Sequence, residues 1–457
     1  MTEQFDIAII GAGPGGYVAA LHASQSGLKT VCIDKRTEPG GTCLNEGCIP
    51  SKSLLSATEF LSRIHEKAKN NGIDVAGVVA NFNQMMFRKK ETVHSLVEGI
   101  RGLFHNQKVA YKVGQARFLD AHRIQVGEEE VEAKQIIIAT GAQPIALPGM
   151  KFDEKQLLSS TGALSLPQVP QRMIVIGAGV IGVELASVYS RLGTQVKIVE
   201  MLNQICPALD QSLSKQLQKA LQKQGIEFLL ATEVITSVVQ PNEVILTVKQ
   251  ENRLQNMSAD VVLIAIGRRP HTQGLGLELA GVEVDRRGFV RVDQHFRTNI
   301  PHIYAIGDVI EGPMLAHRAS AEGVAVVDLI CGKSAFVDYL LVPNVIYTHP
   351  EVATVGLNEQ EAKDLGLAAV IGTSYFKGNG RARCTDETEG FVKVVGDQRS
   401  GRLVGMSILG AHASELIAEG MIALQKKATL KDLAKAPHAH PTLSETIKEA
   451  AEAALRT

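Results

Sequence analysis

Apolar and polar positions along the chain fall into a pattern that occurs twice. Residues 5 to 10 form a short apolar run. A glycine-rich turn follows, then alternating small and apolar residues, Gly27, and a second apolar run ending at Asp34. The same succession starts at Arg172 and ends at Glu200, with Gly11 answered by Gly177 and Gly27 by Gly193, each 166 positions on. Short unbroken apolar runs bounded by turn residues read as buried strands, and the longer stretches between them as helices. Three more such runs end in glycine, at 136–144, 261–270 and 303–309. The stretch from Ser51 to about Asn70 predicts a helix, with Pro50 suited to its first turn. After about residue 343 the texture changes to shorter strands and amphipathic helices, which predicts a separate α+β unit.

Each copy of the repeat carries GxGxxG between its strand and helix, and an acid 23 positions after the first glycine. In such a turn the first glycine permits the bend, the second lets backbone approach a pyrophosphate, and the third lets helix and strand pack closely. These positions are Gly11, Gly13 and Gly16 in one copy and Gly177, Gly179 and Gly182 in the other. The helix behind each turn directs unsatisfied N–H groups at the phosphates, and Asp34 and Glu200 are placed to accept bonds from a ribose hydroxyl. The predicted fold class is therefore α/β, with two Rossmann-like dinucleotide-binding domains and a C-terminal α+β domain.

A chain of 457 residues accommodates two to four domains, so sites between domains are expected. Net charge is −1 and charges of both signs are interspersed, which argues against nucleic acid and anionic membranes as partners. No apolar run of about 20 residues appears, and the chain enters its first strand without a basic leader, so a cytoplasmic location is expected. Six cysteines are too few for a disulfide scaffold. A close cysteine pair in such a chain suggests redox chemistry.

That pair is Cys43 and Cys48, in GGTCLNEGCIPSK. Closing so short a loop stabilises by roughly 2 kcal/mol, against over about 4 for a very long loop, so the pair makes a poor staple and a better cycling disulfide. Cys48 stands near a helix start, where the dipole favours thiolate. Two incidental buried cysteines, or a zinc site lacking an evident second ligand cluster, are the competing readings. Near the other end, HAHPTLSETIKEA places His440 before a helix that Thr442 or Ser444 could cap, with Glu445 able to hold the other ring nitrogen. A carboxylate-oriented imidazole suits proton exchange with a thiol, and His438 is an equal rival.

Through IIGAGPGGYVAA, GGTCLNEGCIPSK, IGAGVIGVELAS, AIGDV and HAHPTLSE, the sequence closely resembles the pyridine nucleotide–disulfide oxidoreductases over essentially its whole length. The resemblance implies FAD in the first unit, NAD in the second, and a homodimer joined by the C-terminal domain. It also implies that the NAD unit is inserted into the FAD unit, giving 1–145 with 271–343, 146–270, and 344–457 as the dimerisation domain. Cys43 would be the interchange thiol and Cys48 the flavin-side sulfur, with His440 and Glu445 acting on Cys43 of the partner subunit. Lys52 would pair with Glu184 near the flavin. Asp34, Ala116, Thr140, Gly141, Asp308, Met314, Leu315, Ala316 and His317 would contact FAD, while Val234 and Gly267 would line the NAD site. Glu46 departs from the apolar residue more usual between the cysteines, and its charge is expected to raise the thiol pKa values.

Glu200 favours NAD, because a carboxylate repels a 2′-phosphate. The ending EAAEAALRT lacks the extra cysteine pair of mercuric reductases and of some thioredoxin reductases. The resemblance thus implies oxidation of a dihydrolipoyl group carried by a 2-oxoacid dehydrogenase or glycine-cleavage complex. Another NAD(P)-dependent disulfide reductase is the nearest alternative. A non-catalytic FAD/NAD sensor or assembly subunit would predict a broken cysteine pair or a missing base. Cys32, Cys206, Cys331 and Cys384 carry no apparent role.

Overall fold

The computed structural model describes residues 3–456; Met1, Thr2 and Thr457 lie outside them. Strand Glu3–Ile10 and strand Thr30–Asp34 run parallel, joined by helix Pro14–Gln25. Ile7, Ala8 and Ile9 are wholly buried, as a strand covered on both faces requires. The sheet runs from Ala110–Val113 through these two strands to Glu129–Ile138. The first half of that last strand pairs antiparallel with Arg123–Val126, and its second half pairs parallel with Ile303–Ala305. A strand from near residue 303 thus completes a sheet begun at residue 3. Helix Ala316–Ile330 packs against Pro14–Gln25 so closely that a Cβ on Gly323 would lie 2.6 Å from the Gly15 carbonyl oxygen.

A second parallel sheet has the order Glu227–Leu229, Gln195–Val199, Arg172–Ile176, Val261–Ile264, Leu157–Leu158. A three-stranded antiparallel sheet, Thr232–Val239, Val244–Gln250 and Arg253–Ala259, covers it through Val244, Leu246 and Val248 packed with Ile174, Ile176 and Ile264. The chain passes between the first two sheets at a short antiparallel pair, Ala142–Pro144 with Arg268–Pro270.

The last unit is a five-stranded antiparallel sheet, Asn344–Ile346, Glu351–Gly356, Leu403–Gly410, Phe391–Asp397, Ala369–Tyr375 in spatial order. Helices Ala413–Gln425 and Glu445–Ala454 bury Ile417, Ile447, Ala450 and Ala451 in its core. The α/β architecture with a C-terminal α+β unit is the one the periodicity predicts. The helix expected from Ser51 instead spans Cys48–Lys67, followed by a turn of 3-10 helix at Lys69–Asn71. Pro50, whose missing N–H costs nothing there, sits in the first turn as expected, and the helix opens two residues before it at Cys48.

Candidate active site

The two glycine-rich turns have one geometry. A Cβ on Gly11 would stand 2.3 Å from the Ala139 oxygen, and one on Gly16 would stand 1.8 Å from the Gly11 oxygen. On Gly177 and Gly182 the corresponding distances are 2.6 Å to Ala265 and 2.1 Å to Gly177. Gly13 and Gly179 differ, since a Cβ on either would meet nothing of the protein within 4 Å. The first and third glycines are therefore required by packing, and the middle one leaves a cradle at the start of a helix. A pyrophosphate fits such a cradle of backbone N–H groups. Asp34 accepts the Ala12 N–H at 2.7 Å and the Arg36 N–H at 3.0 Å; Glu200 accepts those of Ala178 at 2.7 Å and Leu202 at 2.8 Å. Both carboxylates are thus fixed at the strand end beside their own turn, with lone pairs left for hydroxyls.

Cys43 lies in the short helix Gly41–Glu46, and Cys48 opens the next helix after Gly47. Both stand as free thiols, one of the two forms that a cycling pair takes. Their side chains hydrogen-bond to one another. The Cys43 thiol lowers Cys48 to about 7; burial opposes this, and Lys52 aids it against the charge of Glu184. Cys43 is pushed far up by the same hydrogen bond and by burial. A nucleophile ionised near neutrality beside a protonated partner is the form a dithiol couple needs.

Lys52, one helical turn beyond Cys48, places Nζ 2.8 Å from Glu184 Oε2. The other oxygen of Glu184 accepts the Tyr347 N–H at 2.9 Å, and the Lys52 ammonium lies 4.4 Å from the centroid of the Tyr347 ring. Glu46 has partners of its own. Its carboxylate pairs with Arg36 at 2.8 Å and lies 3.5 Å from the Thr161 hydroxyl, and it is not among the main influences on either sulfur. The neighbouring guanidinium neutralises the charge that was expected to raise the thiols.

The structure separates the two C-terminal histidines. His438 is buried and has both ring nitrogens engaged, Nδ1 with the Ala436 oxygen at 3.0 Å and Nε2 with Glu419 at 2.8 Å. His440 is 79% exposed, its Nδ1 stands 2.9 Å from Glu445 Oε1, and no bond to Nε2 occurs among the described residues. Only His440 can offer a nitrogen to an incoming group. Neither Thr442 nor Ser444 caps the helix Glu445–Ala454 by its side chain. Ser444 has helical backbone angles at the cap position, and the Thr442 hydroxyl donates instead to the Ala439 oxygen. The Thr442 N–H is taken by Glu445 Oε2 at 2.8 Å, which fixes the carboxylate that holds His440.

Residues 5–323 match the family described as pyridine nucleotide-disulphide oxidoreductase, and residues 342–451 match its dimerisation domain. The chain belongs to the pyridine nucleotide-disulphide oxidoreductases. It is 48% identical to the dihydrolipoamide dehydrogenase of Chaetomium thermophilum, over 98% of this chain and 90% of that one. It is 46% identical to the mitochondrial dihydrolipoyl dehydrogenase 1 of Arabidopsis thaliana, over 99% and 90%, and 44% to a leghemoglobin reductase of Glycine max, over 99% and 88%. The crystal structure of LpdA from Mycobacterium tuberculosis superposes with a TM-score of 0.91 at 27% identity, covering 99% of both chains. The HOCl-induced flavoprotein disulfide reductase RclA of Escherichia coli gives 0.88 at 28%, covering 98% of this chain and 99% of that one.

The family's cofactors are FAD and NAD, and the remaining residues predicted to contact them are spread over both nucleotide units. Thr140 donates to the His271 oxygen at 2.8 Å, and Gly141 has φ +71°, a value few other residues adopt. Ala116 is buried in its own short strand, and Val234 and Gly267 are placed in the second nucleotide unit. Met314 and Leu315 lead into the helix that begins at Ala316, and His317 Nε2 lies 2.8 Å from the Pro343 oxygen. Asp308 sits in a 3-10 turn, raised by burial against the opposing charges of Arg268 and Arg318.

Beneath that turn is a network the sequence reading missed. Arg318 and Glu322, 1% and 0% exposed, pair at 2.7 Å; Glu322 also takes the Gly307 N–H at 2.7 Å and the Tyr339 hydroxyl at 2.8 Å. Arg318 donates to the Pro313 and Glu311 oxygens at 2.7 and 2.8 Å, fixing the loop between Asp308 and Met314. The available signal was Arg and Glu four apart in a helix of small residues, a spacing equally common on solvated faces.

Proposed function

We propose that this chain oxidises the dihydrolipoyl group of a carrier protein to lipoyl and reduces NAD to NADH, as a homodimer with FAD bound. The observation that carries the reading is the Cys43–Cys48 contact, with Cys48 at about 7 beside Lys52 and Glu184. Nearly half identity to a dihydrolipoamide dehydrogenase supports the choice of substrate. In the oxidised enzyme His440, its ring held by Glu445, takes a proton from one substrate thiol. That thiolate attacks the Cys43 sulfur, forming a mixed disulfide and releasing Cys48 as thiolate. The second substrate thiol, losing its proton, attacks the first substrate sulfur, closing the lipoyl ring and expelling Cys43, which takes up a proton. Two electrons have then moved to the pair, and one proton each rests on His440 and Cys43.

FAD, when bound, would supply the two-electron acceptor chemistry between the dithiol pair and NAD. The turn at Gly13, with Asp34, Asp308 and the loop before Ala316, would hold FAD; the turn at Gly179, with Glu200, would hold NAD. His440 and Glu445 serve Cys43 of the partner subunit in this reading, and the dimerisation-domain match supports a dimer. Among the described residues no helix is long and apolar enough to cross a membrane. We place the chain in the cytoplasm. Since several relatives are named mitochondrial, fractionation between cytosol and organelle decides the compartment.

Purified flavin-loaded protein is expected to form NADH from NAD and dihydrolipoamide, with little turnover of NADP. Bound flavin without dihydrolipoamide-dependent NADH formation would overturn the substrate. Equal rates with NADP would overturn the role of Glu200.

A further inference from the structure

Side chains or backbone from three separate sheet units meet at the Lys52 ammonium. Lys52 comes from the dithiol helix, Glu184 from the helix Val180–Arg191, and Tyr347 from the segment leaving strand Asn344–Ile346 of the C-terminal unit. Glu184 is 3% exposed and is held from both sides, by Lys52 and by the Tyr347 N–H. Two residues on, His349 lies between two carboxylates, with Nδ1 3.5 Å from Glu59 and Nε2 3.2 Å from Glu387. Glu59 is two helical turns beyond Lys52 on the same helix. Lys67, at the end of that helix, reaches Glu387 at 2.8 Å and the Asp386 oxygen at 2.7 Å. The segment is therefore fastened along the dithiol helix at points two turns apart.

We infer that Tyr347 is a positioning residue that holds the Lys52 ammonium beside the Cys43–Cys48 pair of its own chain, with His349 anchoring it to the dithiol helix. The inference rests on the reading of that pair as the redox couple. A lysine side chain has four rotatable bonds, and its charge acts on a nearby sulfur only while confined. Glu184 alone confines one side of the ammonium, and Glu184 is itself set by the Tyr347 backbone. The ring face supplies the other side, because an aromatic quadrupole attracts a cation placed over it. The C-terminal unit, which presents His440, thereby also sets the charge beside the sulfurs of its own chain. Were Tyr347 only filling space, a leucine would serve equally well.

Among the described residues, the charged and titratable groups acting on the two sulfurs are Lys52, Glu184, Arg268 and Tyr347 at Cys48 and Tyr17 at Cys43, besides each sulfur on the other. The test is the pH dependence of the first alkylation of the reduced pair by iodoacetamide in FAD-loaded protein, read by mass on the peptide bearing both cysteines. It needs no dihydrolipoamide, so it fails or succeeds independently of the substrate. Tyr347→Leu is expected to move the midpoint from near pH 7 to near pH 8, cutting the rate at pH 7 about fivefold, and Tyr347→Phe is expected to restore it. An unmoved midpoint in flavin-loaded Tyr347→Leu overturns the inference, as does a Tyr347→Phe midpoint shifted equally far. Should Tyr347→Leu fail to fold, His349→Gln, which loses one carboxylate contact, must move the midpoint in the same direction; a midpoint left in place overturns the inference.

Discussion

Glu46 and Cys48 lie two residues apart, yet their surroundings decide opposite outcomes for their charges. Cys48 lies beside an ammonium and a thiol donor and is lowered to about 7, while Glu46 turns to Arg36. Glu46→Val should therefore leave the alkylation midpoint of the pair within about 0.3 pH units and cost under about 1 kcal/mol in urea unfolding, the range of a partly exposed ion pair. A midpoint falling by a full unit would restore the expectation that Glu46 tunes the sulfurs. At this scale the sequence named Cys43, Cys48 and both histidines, because their chemistry is rare and their motifs are local. Residue chemistry taken alone left His438 equal to His440, and only the resemblance chose between them, since burial of one ring and exposure of the other arise from packing against Glu419 and Ala436.

At the level of elements, the glycines of the first turn have different jobs although each is the same residue. Gly16→Ala must displace the Gly11 backbone and should destabilise the flavin-free protein by about 1–3 kcal/mol, as overpacking does. Gly13→Ala meets no protein atom, so flavin-free stability should change by under about 0.5 kcal/mol while FAD affinity, read by fluorescence titration, falls sharply. Equal losses of stability in both variants would refute the division of roles. The dithiol helix offers a second test at its far end. Burial opposes ionisation of Glu387, but hydrogen bonds from His349 and Lys67 hold it down at about 2, below the ordinary 4.5. A depressed folded-state pKa stabilises above the unfolded value and loses that stability as pH falls from about 4.5 towards 2. Glu387→Gln should thus cost about 3 kcal/mol at pH 7 and about half that at pH 3, read from urea midpoints. A cost that does not shrink would place the contribution elsewhere. The glycine turns were legible because packing dictates them within one strand–turn–helix unit. The Glu387 junction was not, because it joins residues more than 300 positions apart.

For the whole molecule, the proposed catalytic assembly spans two chains. Mixing Cys43→Ser with His440→Gln subunits by unfolding and refolding should recover about a quarter of parental activity, since half the dimers are mixed and each has one intact site. Recovery of nothing would place His440 and Cys43 in the same chain. The sequence by itself determined the two nucleotide units, their glycine turns, the acid after each, the closely spaced cysteine pair and the C-terminal α+β unit. The turns, acids and cysteine pair are written in spacing because each is formed within one or two neighbouring elements, and the C-terminal unit shows as a change of periodicity. Tertiary structure alone decided that Arg318 and Glu322 are buried beneath Asp308, and that Tyr347 lies over Lys52. The Arg318–Glu322 pair has a spacing equally common on a solvated face, and Lys52 and Tyr347 lie far apart in the chain, so in both cases only the packing of the units decides the surroundings.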